Sequence, residues 1–153
     1  MNAKAHLEEA IALNPDFAEA YYKLGLLLKE QGDQEALDHF RKAVSLNAEY
    51  AEAECELAIA LVDQKDFETA RNHFLNALEI NPNYADAYFH YALLLVELND
   101  AEEAKNNFDK VTEIFNRPTL WSFDISRMLA GALFMLGAAY TLSKGIHIRA
   151  DFL

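Results

Sequence analysis

Three of the five histidines, the single cysteine and an excess of carboxylates are the residues in this chain that could do chemistry. His6, His39 and His73 stand 33 and 34 residues apart, each immediately before an apolar residue: Leu7, Phe40 and Phe74. Three imidazoles could hold a zinc ion only if their nitrogens came within about 2.1 Å of it. Regular spacing argues the other way. Histidines at one place in successive helical units are separated by a helix-packing distance, roughly 8–10 Å, and no single ion reaches them all. Half-exposed repeat positions are therefore expected, with no metal and no other cofactor. Cys55 could be a nucleophile, but no basic residue adjoins it in the sequence to lower its pKa, so a packed thiol is expected. The 25 Asp and Glu single out no acid/base pair, and no glycine-rich phosphate loop is present. The chain reads as a non-enzyme.

Composition narrows the alternatives. Of 153 residues, 13 are Lys or Arg, and the formal net charge is −12. Nucleic-acid binding needs clustered cations, so no nucleic-acid partner is expected. Hydrophobic residues make up 52 %, enough to bury a core. Only 5 Gly and 3 Pro are present, too few turn-formers for an all-β chain. One cysteine excludes an internal disulfide framework and fits a reducing compartment. The first residues, MNAKAHLEEAIALNPDF, contain no basic stretch followed by a long apolar run, so no secretory signal is expected. A cytoplasmic or inner-membrane-associated protein is the expectation.

The elements that position these residues come from an internal repeat. Ala18-Glu19-Ala20-Tyr21-Tyr22 returns as Ala51-Glu52-Ala53-Glu54-Cys55 and as Ala85-Asp86-Ala87-Tyr88-Phe89, at steps of 33 and 34 residues. Leu24 and Leu28, Leu57 and Leu61, Tyr91 and Leu95 recur at helical spacing, with Gly25, Ala58 and Ala92 beside them. A second helix follows a polar turn in each unit. Its stripe is Ala36, Phe40, Ala43, Leu46, then Ala70, Phe74, Ala77, Ile80, then Ala104, Phe108, Val111, Ile114. Small residues let one helix admit the aromatic knob of its neighbour. Asn14-Pro15 and Asn81-Pro82 are expected to end second helices, because proline disfavours helix in the residue before it.

These small, aromatic and proline positions, recurring in phase over residues 2–116, resemble the tetratricopeptide repeat (TPR) family. The resemblance implies an all-α fold, a right-handed α-solenoid of helix-turn-helix repeats, to which an apolar C-terminal helix is added. Repeats are expected over residues 18–50, 51–84 and 85–118. Residues 1–17 match the second helix of a truncated unit, as if the chain were a fragment or began inside a longer array. Lys65 stands where the family usually has glycine.

In this family the first helix of each pair lines a concave groove. The resemblance places Tyr22, Leu26 and Lys29, Cys55, Ile59 and Val62, and Phe89, Leu93 and Val96 there. Glu19, Glu30, Glu52, Asp63, Asp86 and Glu97 form the rim. Such a surface suits an amphipathic helix or an extended apolar peptide with flanking basic residues. Alternatively, some of it packs against further repeats or the C-terminal segment. Chaperone-binding members hold a terminal carboxylate with Lys, Asn and Arg. Here the matching places carry Tyr22, Leu26, Glu56 and His90, so that clamp is not expected. The implied role is a protein-interaction scaffold with a protein or peptide partner.

Residues 119–153 differ in character. Residues 1–118 carry a net charge of −13 and residues 119–153 a net of +1, and residues 128–143 contain no charge at all. A helix of that length spans about 24 Å, short of the roughly 30 Å hydrocarbon core. Trp121 and Phe123 could extend it as an interfacial belt, giving a candidate membrane helix over residues 121–143. Trp121, Asp124, Arg127, Leu136-Gly137-Ala138-Ala139, Gly145, His147, Arg149 and Asp151 resemble part of the small membrane subunit of tripartite ATP-independent periplasmic (TRAP) transporters. That resemblance implies membrane association, a large membrane subunit as partner, and a carboxylate-transport context in which this segment is a partial subunit fused to repeats. The rival expectation is a degenerate final repeat or capping helix packed on Val111 and Ile114.

Overall fold

The computed structural model describes residues 2–117. Seven helices follow one another there: α1 Ala3–Leu13, α2 Ala18–Glu30, α3 Ala36–Leu46, α4 Ala51–Asp63, α5 Phe67–Ile80, α6 Ala85–Glu97 and α7 Ala101–Asn116. No strand occurs among the described residues. Each helix from α1 to α5 packs on its successor, and α4 also touches α6. The last pair meets through Phe89 and Phe108, with ring centroids 6.0 Å apart, and through the Tyr91 hydroxyl, which donates to Glu103 at 2.9 Å.

The core is built from the repeated stripe. Phe40, Ala43, Phe74 and Ala77 are fully buried, as are Ala58, Ala87 and Ala92. Burying each such phenylalanine contributes about 1.5–3 kcal/mol. The small residues are needed where those rings enter. A Cβ added to Gly25 would lie 2.7 Å from the Phe40 ring, closer than any relaxed contact. The aromatic stripe thus fixes how near α2 and α3 approach.

Two kinds of turn recur. Between the helices of a pair, Gly32, Lys65 and Asn99 take the left-handed conformation, with φ of 72°, 65° and 62°. The following amides of Asp33, Asp66 and Asp100 then donate to Leu28, Leu61 and Leu95 at 2.9–3.0 Å, closing each helix end. At the end of the second helix, Asn14, Asn47 and Asn81 adopt extended backbone. Their side chains accept from the amides of Asp16, Glu49 and Asn83 at 3.1–3.2 Å. Asn47 is followed by Ala48 rather than proline, yet its turn is the same. The asparagine side chain, more than the proline, is the shared stop signal.

Among the described residues no helix is long and apolar enough to cross a membrane. The candidate helix over residues 121–143, with Trp121, Asp124, Arg127, Gly137, His147, Arg149 and Asp151, lies outside the described residues.

Candidate binding groove

Residues at i, i+3, i+7 and i+10 or i+11 of a helix share one face. On α2 these are Glu19, Tyr22, Leu26, Lys29 and Glu30, on α4 Glu52, Cys55, Ile59, Val62 and Asp63, and on α6 Asp86, Phe89, Leu93, Val96 and Glu97. The three faces are knit together side by side. Lys29 Nζ on α2 meets the Glu56 carboxylate on α4 at 2.6 Å, and Tyr22 packs tilted against Tyr50, just ahead of α4, at 4.9 Å between centroids.

The nine residues assigned to the groove from sequence are not equally available. Tyr22, Leu26, Ile59 and Val62 are half-buried, and Lys29 is exposed but engaged by Glu56. Phe89, Leu93 and Val96 are open, at 43 %, 46 % and 55 % exposure. Cys55 is a correction: it is 1 % exposed and presents nothing to a ligand. Burial raises its thiol pKa to about 12, and Tyr84, just ahead of α6, lies beside it. The cause lies at the junction with the next repeat. Tyr50 and Tyr84 fold over the preceding first helix, and burial likewise raises both phenols, with Tyr22 pushed to about 12. Phe17, Tyr50 and Tyr84 recur 33 and 34 residues apart, a signal that could have disclosed these covers.

Electrostatically the face is acidic along two lines. Glu19 pairs with Lys23 on its own helix at 2.7 Å, and Glu97 with Lys65 at 3.1 Å. Glu30, Glu52, Asp63 and Asp86 are exposed and have no ion pair among the described residues. His90 is half-buried, and desolvation lowers its pKa despite nearby Glu56. It stays neutral at pH 7 and adds no cation to this face.

The three phased histidines occupy different surroundings. His6 is exposed, His39 lies 6.0 Å from the Tyr21 ring, and His73 Nδ1 is 2.5 Å from the Glu54 carboxylate. Glu54 is 4 % exposed and takes the repeat place held by Tyr21 and Tyr88. This part-buried pair was not foreseen from sequence, because a glutamate two residues from an exposed Glu52 reads as surface. Among the described residues no group of three potential ligands could hold a metal ion.

Comparison with known proteins places the fold. Residues 2–32, 18–50 and 61–123 match the tetratricopeptide repeat family, together well over half of the chain. Residues 111–153 match the DctQ component of tripartite ATP-independent periplasmic transporters. No curated protein matches the chain. Among solved structures, a crystal structure of MamA shares 25 % identity at a TM-score of 0.67, covering 73 % of this chain and 66 % of that one. YrrB, described as a TPR protein with an unusual peptide-binding site, shares 26 % identity at a TM-score of 0.64, covering 73 % of this chain and 58 % of its own. The second TPR of Spaghetti (RPAP3), bound to an HSP90 peptide, is 19 % identical with a TM-score of 0.62, covering 67 % of this chain and 97 % of that one, and bears on the fold alone. The chain thus spans less than two thirds of the MamA and YrrB chains. With its phased stripes, its matched turns and these family matches, the chain belongs to the tetratricopeptide repeat family.

Proposed function

We propose that this protein is a non-catalytic interaction scaffold that docks a peptide or helix of a partner protein on the shared face of α2, α4 and α6. One observation carries the reading. Phe89, Leu93 and Val96 form an exposed apolar row, at 43–55 % exposure, on a helix whose other side is fully packed. Continuous apolar surface of this kind, rimmed by charge, marks interaction sites on soluble proteins. The peptide-binding site described for YrrB supports the same use of the fold. The remaining groove residues, Tyr22, Leu26, Lys29, Ile59 and Val62, would border the docked segment rather than anchor it.

The test is a selection of random peptides on the intact chain. Selected binders are expected to lose about tenfold in affinity on Leu93→Ala with Val96→Ala, as truncation of interface anchors does, while the melting temperature barely moves. Binders indifferent to those changes would defeat the reading.

A second reading is favoured by the match of residues 111–153 to the DctQ component. Here the repeats are an appendage of a membrane-bound transporter subunit, and Trp121, Asp124, Arg127, Gly137, His147, Arg149 and Asp151 belong to the functional segment. The intact chain would then stay in carbonate-washed membranes, whereas a version ending at Arg117 would not. Equal extraction of both would remove this reading.

A further inference from the structure

We infer that the ligand of this face is a helix, apolar along one stripe and cationic on both flanks, rather than an extended peptide. This rests on the groove reading above and adds the shape and charge of the occupant. The apolar row on α6 lies between two acidic lines that recur in every repeat. Glu19, Glu52 and Asp86 open the first helices, and Glu30, Asp63 and Glu97 close them. Each pair is 11 residues apart, which along a helix is about 16 Å. A helix lying across the three faces is about 10–12 Å wide. Its lysine or arginine stems would run over the apolar row and set their charges against both lines. Among the described residues, the lysines of α2 and of the turn after α4 are already engaged, Lys29 by Glu56, Lys23 by Glu19 and Lys65 by Glu97.

Backbone chemistry decides between helix and extended chain. An extended segment brings an unpaired N–H and C=O at every residue, and these must be satisfied on burial. Between the acidic lines, the face offers little for that purpose beyond the half-buried Tyr22 hydroxyl. Lys29 and Glu56 are engaged with each other at 2.6 Å, Cys55 is buried, and Leu93 and Val96 are hydrocarbon. A helix arrives with its backbone already bonded and needs only side-chain contact.

Three synthetic peptides of one length test this by titration against the intact chain. One is a Leu/Lys peptide with leucine at helical spacing, one replaces every lysine with glutamate, and one alternates leucine and lysine in strand order. The first is expected to bind, with affinity falling steeply as salt is raised, and to lose roughly tenfold on combined Glu52→Gln, Asp63→Asn and Asp86→Asn substitution. It is also expected to weaken on Leu93→Ala. If the glutamate peptide binds as well, the charge assignment is wrong. If the alternating peptide binds as well, the helical assignment is wrong. In both cases, a loss on Leu93→Ala leaves the groove reading standing. Binding of none of the three, or binding unmoved by Leu93→Ala, overturns the inference together with the groove. Light scattering would then report whether a second copy of the chain covers the row.

Discussion

Cys55 and Phe89 occupy the same place in successive repeats, and their surroundings are opposite. The first is 1 % exposed beneath an aromatic cover, the second 43 % exposed. Nothing in either repeat's own pattern of small and apolar residues produces the difference. It comes from the junction with the neighbour: Tyr84, capping the start of α6, closes over α4, and no described residue does the same for α6. In a stacked array each unit contacts its neighbours, so the availability of a groove position belongs to the pair of repeats and not to one. The same contrast separates residues that hold the array together from residues free to hold something else.

The strongest way to break that contrast is to truncate both kinds of residue. Phe74→Ala empties a site that is 0 % exposed between helices, and is expected to cost about 3–5 kcal/mol in denaturant unfolding. Phe89→Ala removes a ring of which much is already in water, touching Phe108 at its edge, and should cost about 1 kcal/mol or less. Comparable losses would mean that α6 is covered after all.

Thiol chemistry sharpens the comparison at the two equivalent positions. In the native protein Cys55 should react with a thiolate-seeking reagent at least about a hundredfold more slowly than a cysteine placed at position 89 (Phe89→Cys with Cys55→Ala), because reaction requires local opening and ionisation. The pKa shift also gives a pH dependence. The folded thiol stays neutral until about pH 12, whereas the unfolded one ionises near its ordinary value of 9.0. Its contribution to stability is therefore complete below pH 9 and is lost as pH rises from 9 to 12. Cys55→Ala should flatten the alkaline fall in stability. An unchanged fall would assign it to the half-buried phenols Tyr22 and Tyr84 instead.

The fold was legible because its determinants are local and repeated. Phe40 and Phe74 announce the packed stripe by spacing alone, and Gly25, Ala58 and Ala92 announce where it enters. The site was legible only in part. The resemblance to the family assigns Leu93 and Val96 to the groove, but whether such a residue is open depends on Tyr50 and Tyr84, which stand at the junction with the next unit. Glu54 was invisible for the related reason that its partner, His73, stands 19 residues away on α5.

That pair supplies a prediction of intermediate size. His73→Ala would leave the Glu54 carboxylate, 4 % exposed, without its hydrogen-bond donor, at a cost of about 2 kcal/mol. Glu54→Tyr, which restores the residue found at the same place in the flanking repeats, should recover most of that loss in the His73→Ala background. Failure to recover it would show that the second repeat is shaped around the His73–Glu54 contact and differs from its neighbours in more than one side chain.

The smallest expected effect concerns the turns, where three repeats solve one problem with Gly32, Lys65 and Asn99. Left-handed backbone costs an ordinary L-residue roughly 1–2 kcal/mol, and glycine little. Lys65→Gly relieves that strain but restores freedom to the unfolded chain, which offsets about 0.5–1 kcal/mol. It also removes the pairing with Glu97 at 3.1 Å and the placement of the ammonium 5.6 Å from the Phe67 ring centroid. With Lys65 70 % exposed, that surface pair is worth only a few tenths of a kcal/mol. Strain relief therefore wins narrowly, and Lys65→Gly is expected to stabilise the protein by about 0.5 kcal/mol. A destabilised variant would show that the bridge between successive repeats outweighs backbone strain. The lysine would then be a fastening between units rather than a tolerated substitute for glycine.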